Sequence, residues 1–393
     1  MSTVGTPLGD AWDLLSAESL ISDDERAVGR RVRELVDTTV RPRVAEWYEA
    51  GTYPAEVVRE LARQGLLGMH LDGYGCAARS AVENGLAAME LEAGDSGLRT
   101  FVSVHSALAM TAIHRWGSAE QRNAWLPRMA AGEAIGCFAI TEREAGSDPA
   151  GMTTFARRDG GDWVITGTKR WITLASLADV AVVWAMTDDG LRGFLVPTDA
   201  PGYHASPIGP KLSLRLSVEC DVLLDEVRLP CDAVLPGASG MSGPLSCLNE
   251  ARYLIAWGVL GAARDSLDAV LRHAAQRRQF GKPLAAFQLT QQKLVDMALE
   301  LDKGILLAVQ LGRLKDAGLL RPHHISAGKL NNTREAIAIA RQARAMLGGD
   351  GITTAHSPLR HASNLEAVRT YEGTDEVHTL VLGKRMTGLS AFA

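Results

Sequence analysis

The sequence predicts a multidomain protein of α and β parts, with a helical region first, a β region second and another helical region last. Its 393 residues, 46% of them hydrophobic, exceed the usual size of a single domain. Apolar residues recur at helical spacing before residue 136 and after residue 248, and short β-branched runs lie between. We therefore expect an N-terminal α-helical domain at 1–136, a middle β domain at 137–240 and a C-terminal helical bundle at 241–393.

Helix-start signals recur in the N-terminal domain. Ser22 and Glu25 fit a capping box, in which each side chain accepts a hydrogen bond from the other residue's backbone N–H. Ser118 and Gln121 repeat this pattern, and Pro54 suits the first turn of another helix. Apolar residues follow at helical spacing, so this domain is predicted to be mostly helical.

Five runs predict strands in the middle domain, because β-branched or alternating residues are separated there by Gly, Asp and Pro. These runs cover residues 137–141, 162–173, 179–186, 190–198 and 220–230. Beyond them the helical period returns in three long segments, at 251–279, 288–318 and 325–347. Long helices with short links predict an up-and-down bundle.

Charge and cysteine usage narrow the classes of partner. With 41 basic and 46 acidic residues, the net charge of -5 provides no cationic field for nucleic acid or an anionic membrane. The five cysteines form no CxxC pair, which favours a reducing, cytoplasmic location. The N-terminus shows no secretory signal, and the longest uncharged apolar run, 253–263, is too short to cross a bilayer.

Several catalytic fingerprints are missing from the sequence. It has no GxGxxG at a strand-to-helix turn, no GxxxxGK[ST], no GxSxG and no HExxH. His323 and His324 are adjacent and cannot share one helical face, while His356 and His361 flank Pro358 in a loop-like stretch. We therefore expect no metal site.

Three stretches suggest chemistry, although each also has an ordinary interpretation. Residues 141–149 offer hydroxyls, a glycine and an aspartate, which suits a polar pocket or a plain loop. Trp171 and Thr173 share one side of a predicted strand, where they could flank a planar cofactor or belong to a half-buried core. Residues 277–284 could clamp a phosphate or form a basic helix end.

A fourth feature is the carboxylate of Glu372, which stands between Tyr371 and Gly373. Thr374 can start a helix with an apolar face directly after the glycine. A turn followed by a helix accounts for this stretch without any function.

Taken together and in order, these stretches resemble the acyl-CoA dehydrogenase family over nearly the whole chain. The matching motifs are "CFAITEREAGSDP", "GTKRWIT", "KLSLRLS" before "DEVRLP", "RRQFGKPLAAFQ", "MLGGDGI" and "YEGTDEVH". The resemblance implies an N-terminal α-helical domain, a middle β-barrel and a C-terminal four-helix bundle. It also implies a homotetramer with noncovalently bound FAD, an acyl-CoA substrate and an electron-transferring flavoprotein as acceptor.

The resemblance assigns Glu372 as the catalytic base that removes the α-proton of an acyl thioester. A carboxylate shielded from water, with its pKa raised toward neutrality, is a better proton acceptor than a solvated one. Hydride then leaves the β-carbon for the flavin, which carries the electrons.

The remaining site residues are also implied by the resemblance. The residues expected around the flavin ring are Phe138, Ile140, Thr141, Gly146, Ser147, Trp171, Ile172, Thr173, Thr374 and Glu376. Those expected at the pyrophosphate and adenine, partly from a neighbouring subunit, are Arg277, Phe280, Gln288, Leu347, Gly348 and Gly349. Those expected to contact the CoA thioester are Ser147, Leu245, Asn249, Arg252, Gly373 and Phe392.

Within the family, the sequence most resembles the glutaryl-CoA dehydrogenases, and Arg99 is the informative residue. A buried guanidinium is costly unless an anion meets it, and a dicarboxylic acyl chain supplies one in its distal carboxylate. The neighbours expected to assist Arg99 are Glu92, Thr100, Ser103 and Tyr371. The alternative is that Arg99 pairs with Asp95 on the helix surface.

That resemblance implies oxidation of glutaryl-CoA to glutaconyl-CoA, loss of CO2 and protonation to crotonyl-CoA. Three departures from the family pattern, Arg143, Leu174 and Leu216, leave the shape of the thioester tunnel open. The alternatives are a dehydrogenase of another acyl thioester, nondecarboxylating or bound to a carrier protein, and a non-catalytic flavin or acyl-thioester binding protein.

Overall fold

The computed structural model describes residues 12–392, and its first part is helical as predicted. The helices there are α1 Asp23–Leu35, α2 Val44–Ala50, α3 Glu56–Arg63, α4 Ala81–Gly94, α5 Ser96–Val102, α6 Thr111–Trp116 and α7 Ala119–Ala130. A 3-10 turn covers Ala17–Leu20, and wider π-helical turns cover Val36–Val40 and Ser103–Met110.

Capping boxes start three of these helices. Those of Ser22 with Glu25 and of Ser118 with Gln121 confirm the sequence prediction. A third, formed by Ser80 and Glu83 at the start of α4, was not predicted. It fixes the start of a helix that is buried along its whole length.

The middle part is one seven-stranded sheet. Its strands are β1 Gly136–Ala139, β2 Phe155–Asp159, β3 Asp162–Thr173, β4 Val180–Thr187, β5 Gly190–Pro197, β6 Tyr203–Pro207 and β7 Glu219–Pro230. The spatial order is β1-β4-β2-β3-β7-β6, with β5 also paired to β4. The sequence prediction missed β2 and β6, because both carry several exposed residues and lack a run of alternating apolar side chains.

The last part is a helical bundle, as predicted. Its elements are α8 Ser242–Gln276, β8 Arg278–Gln279, β9 Lys282–Pro283, α9 Gln288–Asp316, α10 Pro322–Met346, α11 Pro358–Val368 and α12 Asp375–Thr387. Helix α10 packs against α8, α9, α11 and α12, and α8 also packs against α4 of the N-terminal part. In the part of the chain that the structure describes, no helix is both long and apolar enough to cross a membrane.

The helical prediction for residues 251–279 was wrong at its end. Helix α8 stops at Gln276, and Arg278–Gln279 pairs with Lys282–Pro283 as a short hairpin. Phe280 and Gly281 both have positive φ, of 48° and 79°, which is the geometry of a tight hairpin turn. Phe280 therefore projects from a turn and is 94% exposed.

The contact between α4 and α8 is close because α8 carries glycines at the crossing. A Cβ added to Gly261 would lie 1.8 Å from the carbonyl oxygen of Met89 on α4. Backbone atoms cannot swing aside as a side chain can, so a glycine is required there.

We expect Gly261→Ala to destabilise the fold by about 1–3 kcal/mol or more, since the added methyl overpacks against backbone. Gly383→Ala on α12 is the control, because a Cβ there meets nothing within 4 Å. It should be neutral or stabilising by about 0.5–1 kcal/mol. Urea unfolding of both variants measures the difference, and equal stabilities would contradict this packing.

Candidate active site

A buried ion pair joins Arg99 on α5 to Glu92 on α4. Both side chains are fully buried, and Arg99 Nε donates to Glu92 Oε2 at 2.6 Å. Ser96 Oγ donates to the other carboxylate oxygen at 2.9 Å. Desolvation of the guanidinium opposes its charge, but the attraction of Glu92 and Tyr371 and the hydrogen bonds to both together raise the pKa of Arg99. Arg99 therefore stays charged inside the protein.

Hydroxyl groups surround the rest of the Arg99 guanidinium. Nη2 donates to the Tyr371 hydroxyl at 2.6 Å, and Nη1 reaches Ser103 Oγ at 3.4 Å. Thr100 Oγ1 lies 3.3 Å from the same Tyr371 hydroxyl. A guanidinium has more N–H donors than these contacts and Glu92 use, so Arg99 can still donate to a further anion.

These contacts exclude one of the two interpretations of Arg99, and the carboxylate clamp stays a prediction. The alternative of a surface pair with Asp95 is wrong, because Arg99 is buried and turned toward Glu92. Asp95 instead accepts a hydrogen bond from Asn364 and forms an ion pair with Arg360, and both of these residues belong to α11. The wider π-helical turn that follows α5 and begins at Ser103 also belongs to this buried region.

The turn before α12 carries Glu372 in an unusual backbone conformation. Its φ is 52°, in the left-handed region that non-glycine residues rarely adopt, and Gly373 follows with φ 91°. Arg252 Nε of α8 donates to the Glu372 carbonyl at 2.7 Å. Thr374 caps α12 by accepting from the N–H of Val377 at 3.3 Å. These contacts hold Glu372 at a fixed point between two helices.

The carboxylate of Glu372 is shielded and incompletely bonded. Its Oε2 atom is buried and has no hydrogen-bond partner among the described residues. Burial raises the pKa of Glu372, and the positive charges of Lys329, Arg252 and Arg99 offset part of that rise. A buried carboxylate with a free oxygen can accept a proton from a bound molecule.

Lys329 of α10 is a second charged group at this turn. It is 1% exposed, and its Nζ donates to the carbonyl oxygens of Tyr371 and Gly373, both at 2.5 Å. Desolvation lowers the pKa of Lys329 to about 7, although Glu372 opposes this. The sequence analysis missed this residue, because a lysine on an amphipathic helix is ordinarily solvated.

Most residues expected around the flavin ring lie at one end of β3 and in or after β1, while Thr374 and Glu376 lie at the start of α12. Trp171 is 50% exposed, Ile172 is buried, and Thr173 is partly exposed, as alternation along a strand predicts. A register shift against β7 gives Trp171 a φ of 59°. The side-chain hydroxyls of Thr141 and Thr173 have no partner among residues 12–392. An exposed indole beside free hydroxyls fits a planar, polar ring such as a flavin.

A buried ion pair joins β3 to the segment that carries Thr141. Lys169 of β3 donates to Glu142 at 2.9 Å and to the Ile140 carbonyl at 3.1 Å. Glu142 also accepts from the backbone N–H groups of Thr153 and Thr154. The sequence analysis singled out neither Lys169 nor Glu142, although the pair ties the segment of Thr141 to β3.

Many of the expected site residues are exposed in the single chain. These are Gly146, Ser147, Trp171, Leu245, Arg277, Phe280, Gln288, Gly348, Gly349, Glu376 and Phe392. Asn249 is partly buried on α8, Phe138 and Ile140 are buried, and Leu347 is buried beside the exposed glycine turn. Their assignments to cofactor and CoA stay predictions.

Two of the departures from the family pattern are packing residues in this chain. Leu216 is fully buried, and a Cβ added to Gly97 of α5 would lie 2.7 Å from it. Leu174 is also buried, with a φ of 69°. Neither side chain lies on an open surface, so these two departures give no support to a change in the mouth of the thioester tunnel.

Three family models match consecutive parts of the chain. They are the N-terminal domain of acyl-CoA dehydrogenase at residues 22–133, the middle domain at 137–227 and the C-terminal domain at 238–387. The chain belongs to the acyl-CoA dehydrogenase family, and the helical, β, helical order of the fold agrees with this.

Similar proteins include several members of the family. The crystal structure of a glutaryl-CoA dehydrogenase from Mycobacterium smegmatis in complex with FADH2 is 59% identical, covers 97% of this chain and 98% of that one, and superimposes with a TM-score of 0.96. Butyryl-CoA dehydrogenase from Megasphaera elsdenii is 26% identical over 93% of this chain and 98% of its own, with a TM-score of 0.89. The human mitochondrial short-chain specific acyl-CoA dehydrogenase is 34% identical over 89% of this chain and 87% of its own.

We expect Glu92→Gln to destabilise the protein by about 3–5 kcal/mol, because Arg99 is left buried without its anion. Glu56→Gln is the matched control, since Glu56 pairs with Arg43 at an exposed position. Its effect should stay below about 1 kcal/mol. Denaturant unfolding compares the two, and equal effects would show that Arg99 does not depend on Glu92.

Proposed function

We propose that the protein oxidises glutaryl-CoA with FAD and decarboxylates the product to crotonyl-CoA. The observation that carries this proposal is the fully buried Arg99, which bonds Tyr371 next to Glu372. An aliphatic acyl chain has no group that could bind a cation in that place, whereas the distal carboxylate of a dicarboxylic acyl chain can accept hydrogen bonds from it. The similarity to the glutaryl-CoA dehydrogenase of M. smegmatis supports the same substrate.

The charge balance around the site favours an anionic acyl chain. The groups that act on Glu372 include three cations, Arg99, Arg252 and Lys329. Against them stand the carboxylates of Glu92 and Glu372, which leaves one positive charge in excess when all five are ionised. An added carboxylate restores neutrality, whereas an apolar chain leaves the excess in place.

FAD, when bound, supplies a two-electron acceptor for the hydride from the β-carbon. Trp171 would pack beside its ring, and Thr141 and Thr173 would donate hydrogen bonds to its polar edge. The exposed indole and the unpartnered hydroxyls of these residues fit that role.

Glu372 moves the protons in both stages of the proposed reaction. As carboxylate it takes the α-proton, and the β-hydride departs with its electron pair, which leaves glutaconyl-CoA. The γ-carboxylate then leaves as CO2, and its electron pair delocalises through the double bond into the thioester. Glu372, now protonated, returns a proton to the γ-carbon and gives crotonyl-CoA. Its raised pKa suits a group that must act as base and then as acid.

The proposal extends to features implied by family resemblance and by cysteine usage. These are a homotetramer in which a neighbouring subunit meets the adenine end of FAD, an electron-transferring flavoprotein as acceptor, and a cytoplasmic location. The exposed Phe280 and the exposed Gly348 and Gly349 suit a contact outside their own chain.

Anaerobic mixing with glutaryl-CoA tests the substrate directly. We expect the flavin to bleach and CO2 to be released, and butyryl-CoA to react poorly. Arg99→Met should lower kcat/KM for glutaryl-CoA by about 10²-fold or more, since the lost ionic hydrogen bonds are worth several kcal/mol. Its effect on butyryl-CoA should be smaller.

Arg264→Met is the matched control for that variant. Arg264 is another buried arginine, paired with Glu90 away from Glu372. It should weaken the fold without changing the ratio of the two substrates. Bleaching without CO2 would indicate a nondecarboxylating enzyme, and no bleaching with any acyl-CoA would contradict the CoA substrate. A purified protein without flavin colour would favour the binding-protein alternative.

The pH dependence of bleaching tests the role of Glu372. Because the pKa of Glu372 is raised, the carboxyl group stays protonated to higher pH than a solvated glutamate, and only the carboxylate can take the α-proton. The rate should therefore rise with pH through that raised pKa. Glu372→Gln should bind substrate and fail to bleach; bleaching by this variant would contradict the assignment.

A further inference from the structure

Two cations, the buried Lys329 and the partly buried Arg252, bind three consecutive carbonyl groups around Glu372. Lys329 Nζ bonds the carbonyl oxygens of Tyr371 and Gly373, each at 2.5 Å. Arg252 Nε bonds the Glu372 carbonyl between them at 2.7 Å. The cations on α8 and α10 thus bond the backbone carbonyls of this turn. The Oε2 atom of Glu372 is left without a hydrogen-bond partner among the described residues.

Lys329 is placed where a lysine is costly. Its side chain is 1% exposed, and among the described residues it forms no ion pair, only bonds to carbonyl oxygens and a contact over the Tyr371 ring at 5.9 Å. A buried ammonium without a counter-ion needs a compensating reason. Glu372, which lies between the two residues whose carbonyls accept from Lys329, suggests that reason. It has a φ of 52° and a carboxylate oxygen without a hydrogen-bond partner.

We propose that Lys329 is a positioning residue, which locks the turn that presents Glu372 and keeps this carboxyl able to ionise in a site shielded from solvent. The two carbonyl bonds hold the left-handed backbone of Glu372 in place. The ammonium charge, left without a carboxylate partner, favours the ionised form of Glu372. This inference rests on the proposed role of Glu372 as the base.

Other charged groups face the same turn from each neighbouring element. They are Arg252 on α8, Arg99 on α5, Asp375 and His378 on α12, and Lys329 on α10. Asp375 is engaged elsewhere, because it accepts from Arg334 and Arg369. The pKa of His378 is lowered to about 3 by desolvation and by the cations, so this imidazole stays neutral.

Among these groups, Lys329 gives the largest charge effect on Glu372. Its charge opposes the burial-driven rise in the pKa of Glu372 more strongly than the charges of Arg252 and Arg99 do. Removing the charge should raise the pKa of Glu372 further, so that more of the base is protonated at a given pH. Activity that needs the carboxylate should then begin at higher pH.

Three variants separate the effect of the carbonyl hydrogen bonds of Lys329 from the effect of its charge. Lys329→Met removes both the charge and the carbonyl bonds, Lys329→Gln keeps a donor without the charge, and Lys329→Arg keeps the charge on a bulkier group. Flavin bleaching is followed anaerobically from pH 5.5 to 9 with glutaryl-CoA and with butyryl-CoA, at saturating and limiting concentrations. Retained flavin per chain and the circular dichroism spectrum check that each variant is folded.

We expect Lys329→Met to lower kcat by about 10²-fold with little change in KM, a loss typical of a disturbed acid-base group. The acid limb of its pH profile should move up by about one pH unit, the size of shift that a nearby charge commonly causes. Lys329→Gln should show the same shift with a smaller loss of rate. Lys329→Arg should return the limb toward its original position.

An acid limb that stays in place in both Lys329→Met and Lys329→Gln would overturn the inference, whatever their rates. Failure of both variants to fold would also overturn it, because Lys329 would then have only a structural role. Glu372→Gln separates the two levels of the argument. If Glu372→Gln still bleaches the flavin, the proposed base is wrong. If Glu372→Gln is inactive and the acid limb of the Lys329 variants has not moved, only the proposed role of Lys329 is wrong.

Discussion

The hydrogen bond between the buried Arg99 and the partly buried Tyr371 connects the first helical region to the turn before α12. The two residues are 272 positions apart, and Nη2 of Arg99 meets the Tyr371 hydroxyl at 2.6 Å. Arg99 can remain charged there only because Glu92, on the preceding helix, is buried with it. The position of the neighbouring Glu372 therefore depends on how α4 and α5 pack against the C-terminal bundle.

The fold brings the charges of four helices to one turn. Close packing of α4 on α8, which the glycine at 261 permits, places Glu92 and Arg252 on the same side of the bundle. Helix α10 adds Lys329 below the turn, and α12 begins directly after it. The shared result is a carboxylate with a shielded oxygen and a raised pKa, which suits the proposed proton abstraction next to a thioester.

Local signals predicted much of the fold and the general place of the site. Capping boxes and strand periodicity located elements such as α1 and β3, because short-range hydrogen bonding and side-chain alternation determine them. Ordered motifs gave the family and singled out Arg99 and Glu372. The buried contacts of Lys329 and Lys169 were not predicted, since their carbonyl and carboxylate partners come from distant segments. The positive φ of Trp171 and Glu372 also depends on tertiary contacts that no local pattern encodes.

The central claim is that Arg99 receives the distal carboxylate of a dicarboxylic acyl thioester. A crystal structure of the Glu372→Gln variant with glutaryl-CoA measures this contact most directly, because that variant should bind the substrate without consuming it. We expect a carboxylate oxygen of the acyl chain within about 2.7–2.9 Å of the Arg99 guanidinium. An acyl carboxylate that lies in solvent, with Arg99 still bonded only to protein groups, would contradict the claim.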